Sequence, residues 1–144
     1  INKIIKLKKR SRNKNFILIG SSINQFDTFI NPLNDIEKNK LFSKWPGPHT
    51  WLINVNNQCP NWLKSNSKIA LRIPSFSKCH DLVRSIDMAI TSSSLNSSGK
   101  MPLKNYRDVC RFLPKQVKLI GGRIGKNKKP SVIQDFKTKN IIRS

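Results

Sequence analysis

Acidic side chains are scarce in this chain of 144 residues, which has 7 Asp and Glu against 28 Lys and Arg. Four aspartates are isolated from one another in the sequence: Asp81, Asp87, Asp108 and Asp135. These four therefore give no paired-carboxylate signature of acid and base catalysis. The chain also lacks any apolar run of 18 residues, so the sequence predicts no membrane-spanning helix.

Cysteine and histidine are also rare. Cys59, Cys79 and Cys110 lie 20 and 31 residues apart, which is the spacing of neither a Cys-x-x-Cys motif nor a disulfide framework. Their odd number points to a reducing compartment, so we expect a cytoplasmic protein with buried structural thiols. His49 and His80 cannot complete a zinc site with cysteines at these spacings, and we expect both to be structural or at the surface. The sequence predicts no metal site.

Positive charge is present in excess, with a formal net charge of +21 at pH 7. Such a charge attracts polyanions at cellular salt, which favours contact with RNA. A competing explanation is an AT-rich coding sequence, because Asn, Lys and Ile are all abundant. The Lys and Arg residues are also spread from Lys3 to Arg143 and do not form one tail or stripe. The charge by itself therefore does not decide whether the chain contacts RNA.

The pattern of apolar and polar residues predicts one α/β domain over residues 1–144. Predicted helices are Ile1–Arg10, Asn34–Lys44, Ser75–Ser85 and Asn105–Leu113, the second with Asn34 as its cap. Predicted strands are Phe16–Gly20, His49–Val55, Ile69–Ile73, Met88–Ile90 and Val117–Ile120, followed by a hairpin of Pro130–Phe136 and Asn140–Arg143. The third helix is expected to direct inward Phe76, Cys79, Leu82, Val83 and Ile86.

Two features interrupt this regular pattern. Residues Lys44–Thr50, with the sequence Lys-Trp-Pro-Gly-Pro-His-Thr, predict a rigid, non-regular corner, because two prolines fix φ and remove donors while Gly47 permits a turn. Arg72 stands inside the apolar run Ile69–Ile73. An arginine there usually pairs with an acid, but acids are scarce in this chain, so an anionic ligand is an equal alternative.

Hydroxyl and amide side chains crowd the stretch Met88–Gly99. Its apolar lead-in can finish a buried strand, and Thr91–Ser98 then offers donors and acceptors for phosphate, ribose or carboxylate oxygens. The alternative is an ordinary loop rich in Ser and Asn. Gly121–Asn127 resembles a phosphate-binding P-loop, but its glycine spacing is one residue short and Asn127 replaces the Ser or Thr after lysine, so we discount it.

Five segments, in order along nearly the whole chain, resemble threonylcarbamoyl-AMP synthases of the YrdC-like type. They are Leu7-Lys8-Lys9-Arg10 before an apolar strand, the corner Lys44–Thr50, Ala70-Leu71-Arg72, the run Ser92–Gly99 and Pro130-Ser131-Val132-Ile133. The Trp-Pro-Gly-Pro corner and the Ser-x-Ser-x-Asn-x-Ser-Gly run are the rarest of them. The resemblance implies a YrdC-like α/β fold, a twisted open mixed sheet with flanking helices around a basic cavity.

The resemblance also implies an enzyme. It would be a nucleotidyltransferase that joins L-threonine, bicarbonate and ATP into threonylcarbamoyl-AMP and releases pyrophosphate. The product would pass to the machinery that modifies the adenosine beside the anticodon in tRNA with a threonylcarbamoyl group. Mg2+ would accompany the ATP phosphates.

Site residues follow from the same resemblance, position by position. The catalytic pair, expected to face bicarbonate and the ATP phosphates, is Lys8 and Arg10. The residues expected to bind ATP or threonine are Arg72, Ser92, Ser94, Asn96, Ser131 and Arg143. Within that set, Arg72 and Ser131 would bind threonine, where a guanidinium can hold a carboxylate through two hydrogen bonds, and Arg143 would contact the nucleotide.

Two departures accompany the resemblance. The family's first helix and strand, with a Pro-Thr-Glu segment that lines the threonine pocket, have no counterpart from Ile1 onward, and Ser11 stands where the family has proline. We therefore expect a YrdC-like domain that is truncated at its N-terminus. The alternatives are an inactive remnant of the synthase and a non-catalytic basic protein that binds double-stranded or ribosomal RNA.

Overall fold

The computed structural model describes residues 2–9, 16–122 and 130–143. In these ranges, apolar runs separated by polar turns form six strands and four α-helices. The helices are α1 Asn2–Lys8, α2 Asp35–Phe42, α3 Ser77–Ser85 and α4 Tyr106–Phe112. The strands are β1 Ile17–Ile19, β2 His49–Asn54, β3 Lys68–Arg72, β4 Ile90–Ser92, β5 Val132–Asp135 and β6 Ile141–Arg143. A 3-10 helix covers Asn24–Phe26. The prediction of an α/β fold is confirmed.

The chain divides into two compact units. The first comprises residues 1–14 and 93–126 and contains α1 and α4. The second comprises residues 15–92 and 127–144 and contains α2, α3 and all six strands. The prediction of one domain over the whole chain stays a prediction. Of the helices in the described ranges, none is long and apolar enough to cross a lipid bilayer.

One open mixed sheet forms the second unit, in the strand order β4-β1-β3-β2-β5-β6. β1 is parallel to β3 and β2 is parallel to β5, whereas the other neighbours are antiparallel. In this register Trp51 of β2 lies between Leu71 of β3 and Gln134 of β5. The antiparallel pair of β5 and β6 confirms the predicted terminal hairpin.

Aromatic and aliphatic side chains of the second unit bury each other on this sheet. The cluster includes Leu18, Phe26, Leu41, Trp45, Trp51, Ile53, Leu71 and Phe136. The ring of Trp51 meets the edge of Phe136 with 5.6 Å between centroids. Lys40 of α2 donates to the main-chain oxygen of Phe136 and lies 4.2 Å from the centroid of that ring. The burial of these large side chains is the main favourable contribution to folding of this unit.

The start of α2 is set by its capping residue, as predicted. The main-chain nitrogen of Glu37 donates to Oδ1 of Asn34 over 2.9 Å, and the nitrogen of Asn34 donates to Oε2 of Glu37 over 3.0 Å. This reciprocal capping box satisfies two main-chain donors that the first turn would otherwise leave unpaired. Asn105 likewise caps α4, where its Oδ1 accepts from the nitrogen of Asp108 over 2.8 Å.

The predicted inward face of α3 is largely wrong. Val83 is the buried residue of the helix, whereas Phe76, Leu82 and Ile86 are 48%, 37% and 44% exposed. α3 runs only from Ser77 to Ser85, so Phe76 and Ile86 are its caps and do not lie on a helical face. A helix this short can present one residue to the core while its neighbours stay in solvent.

The apolar run Val117–Ile120 is not a strand in the described structure. A turn leads into the run, in which the nitrogen of Val117 donates to the oxygen of Pro114 over 2.9 Å, and Ile120 at the end of the run is 54% exposed. An apolar run becomes a strand only where a neighbour offers main-chain partners, and in the described ranges none does so here. The strand predicted at Met88 begins instead at Ile90, and Met88 is 65% exposed.

The prediction of buried thiols holds for one cysteine. Cys59 is buried, Cys79 is half-buried and Cys110 is exposed, and all three are free. Burial raises the pKa of Cys59 and of Cys79, while nearby Lys64 and Arg72 respectively act in the opposite direction. These two thiols therefore favour the protonated form.

Asp135 at the end of β5 generates a prediction about stability. Burial by itself would raise the pKa of Asp135, but hydrogen bonds from Lys68 and Thr138 bring it down to about 2. Because the folded-state pKa lies below the unfolded-state pKa, the carboxylate stabilises the fold above pH 4 or so and loses this effect as the pH falls toward 2. We expect Asp135→Asn to lower the free energy of unfolding by about 1–3 kcal/mol at pH 7.

The measurement is urea unfolding of both proteins at pH 7 and at pH 3, where the difference should shrink. Asp35→Asn is the matched control, since the Asp35 side chain is 95% exposed and lies 4.0 Å from Lys38. Such an exposed pair contributes only about 0–1 kcal/mol. An equal effect of both substitutions at pH 7 would contradict the role assigned to Asp135.

Candidate functional site

The predicted site residues are distributed over both units. Lys8, Ser94 and Asn96 belong to the first unit, together with Arg10, which lies outside the described residues. The second unit contains Arg72, Ser92, Ser131 and Arg143. Two separate groups of contacts result, one around Lys8 and one around Ser131.

Lys8, on the last turn of α1, is buried to 4% exposure. Its ammonium group donates to the main-chain oxygen of Ser94, to the main-chain oxygen of Asn96 over 2.6 Å and to Oδ1 of Asn96 over 2.8 Å. The main-chain oxygen of Lys8 also accepts from the nitrogen of Ser98 over 2.9 Å. Lysine is almost never buried without such partners, so these contacts fix both the ammonium group and the loop.

The loop after Ser92 is held together by its own polar groups. Ser94 Oγ donates to Asn96 Oδ1 over 2.8 Å, and the amide of Asn96 donates to the oxygen of Lys100. Leu103 closes the loop by donating its nitrogen to the oxygen of Leu95 over 2.9 Å, and Gly99 has a φ of 79°. Gly99 adopts this left-handed conformation without the strain that another residue would carry. The serine and asparagine run is therefore an ordered loop that presents the exposed Ser94.

Ser131 joins two elements of the second unit. Arg143 of β6 donates to the main-chain oxygen of Ser131 through Nε over 3.1 Å and through Nη2 over 2.8 Å. Its Nη2 also donates to Ser131 Oγ over 3.0 Å. Thr50 of β2, which is completely buried, places its Oγ1 3.0 Å from the same Oγ. Ser131 is itself 7% exposed, so its hydroxyl is positioned by both neighbours.

Arg72 ends β3 and is half-buried. Its Nε donates to the main-chain oxygen of Gly47 over 2.9 Å. Burial lowers the pKa of Arg72, Cys79 acts to raise that pKa, and the charge of Arg143 lowers it further. Among the residues that the structure describes, Arg72 forms no ion pair with a carboxylate. Its guanidinium group is held by a main-chain oxygen, and the anionic ligand of Arg72 stays a prediction.

The corner Lys44–Thr50 explains how Gly47 reaches Arg72. The Trp45–Pro46 peptide is cis, and Trp45 Nε1 donates to the oxygen of His49 over 2.8 Å. The nitrogen of Gly47 donates to the oxygen of Ile73 over 2.9 Å. A Cβ at Gly47 would lie 2.5 Å from the main-chain oxygen of Lys44, so only glycine fits the turn. The rigid corner predicted from the sequence therefore places a main-chain acceptor beside Arg72.

Ser92 is the last residue of β4, where it pairs with Ile17 and is half-buried. Thr50 was not identified from the sequence, because a threonine between buried aromatic residues is typical of any strand. In the sequence, Thr50 is distinguished only as a hydroxyl residue inside the strand that follows the corner.

Among the described residues, no group of three or more His, Cys, Asp and Glu could hold a metal ion.

Comparison with known proteins assigns this arrangement to a family. A family model described as telomere recombination, and named for Sua5, YciO and YrdC, matches residues 1–144. The threonylcarbamoyl-AMP synthase of Methylobacillus flagellatus is 34% identical over 144 residues, which cover 99% of this chain and 80% of the relative. The protein of the same name from Wigglesworthia glossinidia brevipalpis is 36% identical over 146 residues, covering 99% and 75%.

Solved structures agree on the fold. The complex of P. abyssi Sua5 with L-threonine matches with a TM-score of 0.81 at 20% identity, over 93% of this chain and 40% of that one. E. coli YciO matches with a TM-score of 0.79 at 20% identity, over 99% of this chain and 71% of that one. These likenesses confirm the predicted fold.

The contacts of Lys8 predict a local effect of its replacement. Lys8→Met keeps the length of the side chain but removes three charge-assisted hydrogen bonds to the loop, each stronger than a neutral one. We expect the amides of Ser98 and Leu103 to exchange their hydrogens about tenfold faster, because local opening becomes easier. Hydrogen exchange followed by mass spectrometry measures this.

Lys6→Met is the matched control, since Lys6 lies on the same helix and is exposed. It should leave the exchange of both amides unchanged. If the two variants exchanged alike, Lys8 would not be what holds the loop.

Proposed function

Because the chain belongs to the Sua5/YciO/YrdC family, we propose that it forms threonylcarbamoyl-AMP and pyrophosphate from L-threonine, bicarbonate and ATP, using the residues of the two groups described above. The relatives named above confirm the predicted class of enzyme, a threonylcarbamoyl-AMP synthase. They do not favour the alternative of a non-catalytic RNA-binding protein. What we add is the assignment of substrates and roles to residues of this chain.

The reaction explains why cations and hydroxyl groups would be needed. The amine of threonine takes up bicarbonate and water leaves, which gives a carbamate. A carbamate oxygen then attacks the α-phosphorus of ATP, and the bond to pyrophosphate breaks. Negative charge accumulates around the reacting atoms throughout, and fixed positive charges stabilise it without reorganising. No covalent nucleophile is required, because proximity and electrostatics supply the catalysis.

The observation that carries the proposal is a pair of guanidinium groups in the second unit, those of Arg72 and Arg143. Each is held by a main-chain oxygen, of Gly47 and of Ser131 respectively, which adds no negative charge. The charge of Arg143 also lowers the pKa of Arg72. Two like charges held in this way favour an anion between or beside them. We assign the threonine carboxylate to Arg72 and Ser131, and a group of the nucleotide to Arg143.

For the first unit we assign to Lys8 an effect of its charge on bicarbonate and the ATP phosphates, since its three N–H donors go to the loop, and we assign ATP to that loop. The ammonium group of Lys8 has little freedom, since three oxygen atoms fix it, and a preorganised charge of this kind costs nothing to orient during reaction. Ser94 is exposed, and because its proton goes to Asn96 its oxygen is able to accept a hydrogen bond from a ligand such as a ribose hydroxyl. Arg10 keeps its expected role toward bicarbonate and the ATP phosphates, and Ser92 its expected role toward ATP or threonine.

Further parts of the proposal follow from the substrates. Mg2+ would arrive bound to the ATP phosphates, where it would offset their charge. The product would pass to the machinery that modifies tRNA, and contact of the basic chain with RNA at that stage agrees with its net charge of +21. We place the reaction in the cytoplasm, in keeping with three free thiols.

The proposal is tested by incubating the chain with threonine, bicarbonate and ATP. We expect pyrophosphate release that depends on threonine, and a product with the mass of threonylcarbamoyl-AMP. Arg72→Lys should lower kcat/KM for threonine about tenfold or more, because lysine keeps the charge but loses the planar two-bond contact to a carboxylate.

Arg84→Lys is the matched control, since Arg84 is exposed on α3 and should be replaceable without effect. Calorimetry of ATP binding with and without threonine provides a second readout. If threonine changed neither pyrophosphate release nor ATP affinity, and binding of RNA fell steeply with salt, the RNA-binding alternative would replace this proposal.

A further inference from the structure

We propose that Thr50 orients the hydroxyl proton of Ser131, so that Ser131 can act toward its ligand only as a hydrogen-bond donor. This inference rests on the proposed function, in which Ser131 contacts threonine. Thr50 is a positioning residue, because it is completely buried and acts through Ser131.

The hydroxyl group of Ser131 has two acceptor positions on its oxygen and one proton to donate. Arg143 Nη2 lies 3.0 Å from this oxygen. A guanidinium group donates and never accepts, so the direction of this hydrogen bond is certain. One acceptor position of Ser131 is therefore occupied by Arg143.

The hydroxyl oxygens of Thr50 and Ser131 lie 3.0 Å apart, and by geometry either hydroxyl could be the donor. Thr50 has 0% exposure, and within the described ranges Ser131 is the partner of its hydroxyl. If Ser131 donated, the proton of Thr50 would be buried without an acceptor, which costs about 1–3 kcal/mol. Ser131 is buried but keeps 7% exposure, whereas Thr50 keeps none, so the proton of Ser131 is the one that can reach a ligand or water. Thr50 therefore donates to Ser131.

Both acceptor positions of Ser131 are then filled, by Arg143 and by Thr50. What remains is its proton, which suits a carboxylate or phosphate oxygen and cannot serve an ammonium group. For an amino-acid ligand, this polarity selects the carboxylate end. The amine of threonine would then be turned away from Ser131 and left for reaction with bicarbonate.

The sheet fixes the distance on which this effect depends. Thr50 lies beside Ile133 in the parallel pair of β2 and β5. The nitrogen of Val132 donates to the oxygen of Pro48 over 3.1 Å, immediately next to Ser131 in the chain. Main-chain bonds on both strands thus hold the two hydroxyl groups in register, and a small side chain such as serine at position 50 would keep the donor.

The experiment measures threonine affinity by calorimetry, in the presence of ATP, for Thr50→Val, Thr50→Ser, Ser131→Ala and the double variant Thr50→Val/Ser131→Ala. Thr50→Val keeps the shape but removes the donor, and we expect binding about tenfold weaker. Thr50→Ser should bind within about twofold of the original chain. The double variant should bind like Ser131→Ala alone, because Thr50 acts through Ser131.

Controls separate this effect from loss of folding. Thr28→Val is the matched substitution at an exposed threonine of the same unit and should change nothing. Urea unfolding confirms that each variant is folded, and Thr50→Ala replaces Thr50→Val if the valine variant is not.

Three results would overturn the inference. Unchanged affinity in a folded Thr50→Val or Thr50→Ala chain, with Ser131→Ala weakened, would refute the role of Thr50 and leave the proposed function intact. So would additive losses in the double variant. If Ser131→Ala bound threonine normally, the assignment of Ser131 in the proposed function would fail as well.

Discussion

Main-chain carbonyl oxygens hold the cations on which the candidate site depends. Lys8 donates to the oxygens of residues 94 and 96, Arg72 donates to Gly47, and Arg143 donates to Ser131. A carbonyl dipole fixes the position of a cation and offsets part of the free energy that is lost when the cation leaves water, but it adds no negative charge. A chain with 7 acids against 28 bases can in this way build cationic positions that are fixed in place and still attract anions. A carboxylate partner would have neutralised them.

This solution requires that main-chain oxygens point toward the cations, and irregular backbone provides them. At Gly47 the corner turns through a conformation in which a Cβ would collide with the oxygen of Lys44. The loop beyond Ser92 turns at Gly99 with a positive φ. A regular strand or helix would have used these oxygens in its own hydrogen bonds. The sheet contributes the fixed frame, since Arg72 ends β3, Arg143 lies on β6 and Ser131 directly precedes β5.

Sequence reasoning succeeds where a local rule decides the structure. Asn34 caps its helix because its side chain accepts a main-chain donor of the first turn, and the corner is rigid because of its prolines and Gly47. Sequence reasoning fails where a residue distant in the chain decides the structure. Val117–Ile120 has the composition of a strand but no neighbour in the described ranges to pair with. Thr50 could not be found either, because its importance comes from a hydroxyl group 81 positions away in the chain.

The run Met88–Gly99 illustrates the same limit for the site. Its serines and asparagine were equally compatible with a binding loop and with an ordinary turn. In the structure the side-chain oxygen of Asn96 accepts hydrogen bonds from Lys8 and Ser94, and its amide nitrogen donates to the oxygen of Lys100. Such local hydrogen bonds are typical of a turn. The two interpretations are therefore not exclusive. The polar groups that order the loop around Lys8 leave Ser94 exposed, and an ordered loop with one free face is what preorganised binding of a charged nucleotide requires.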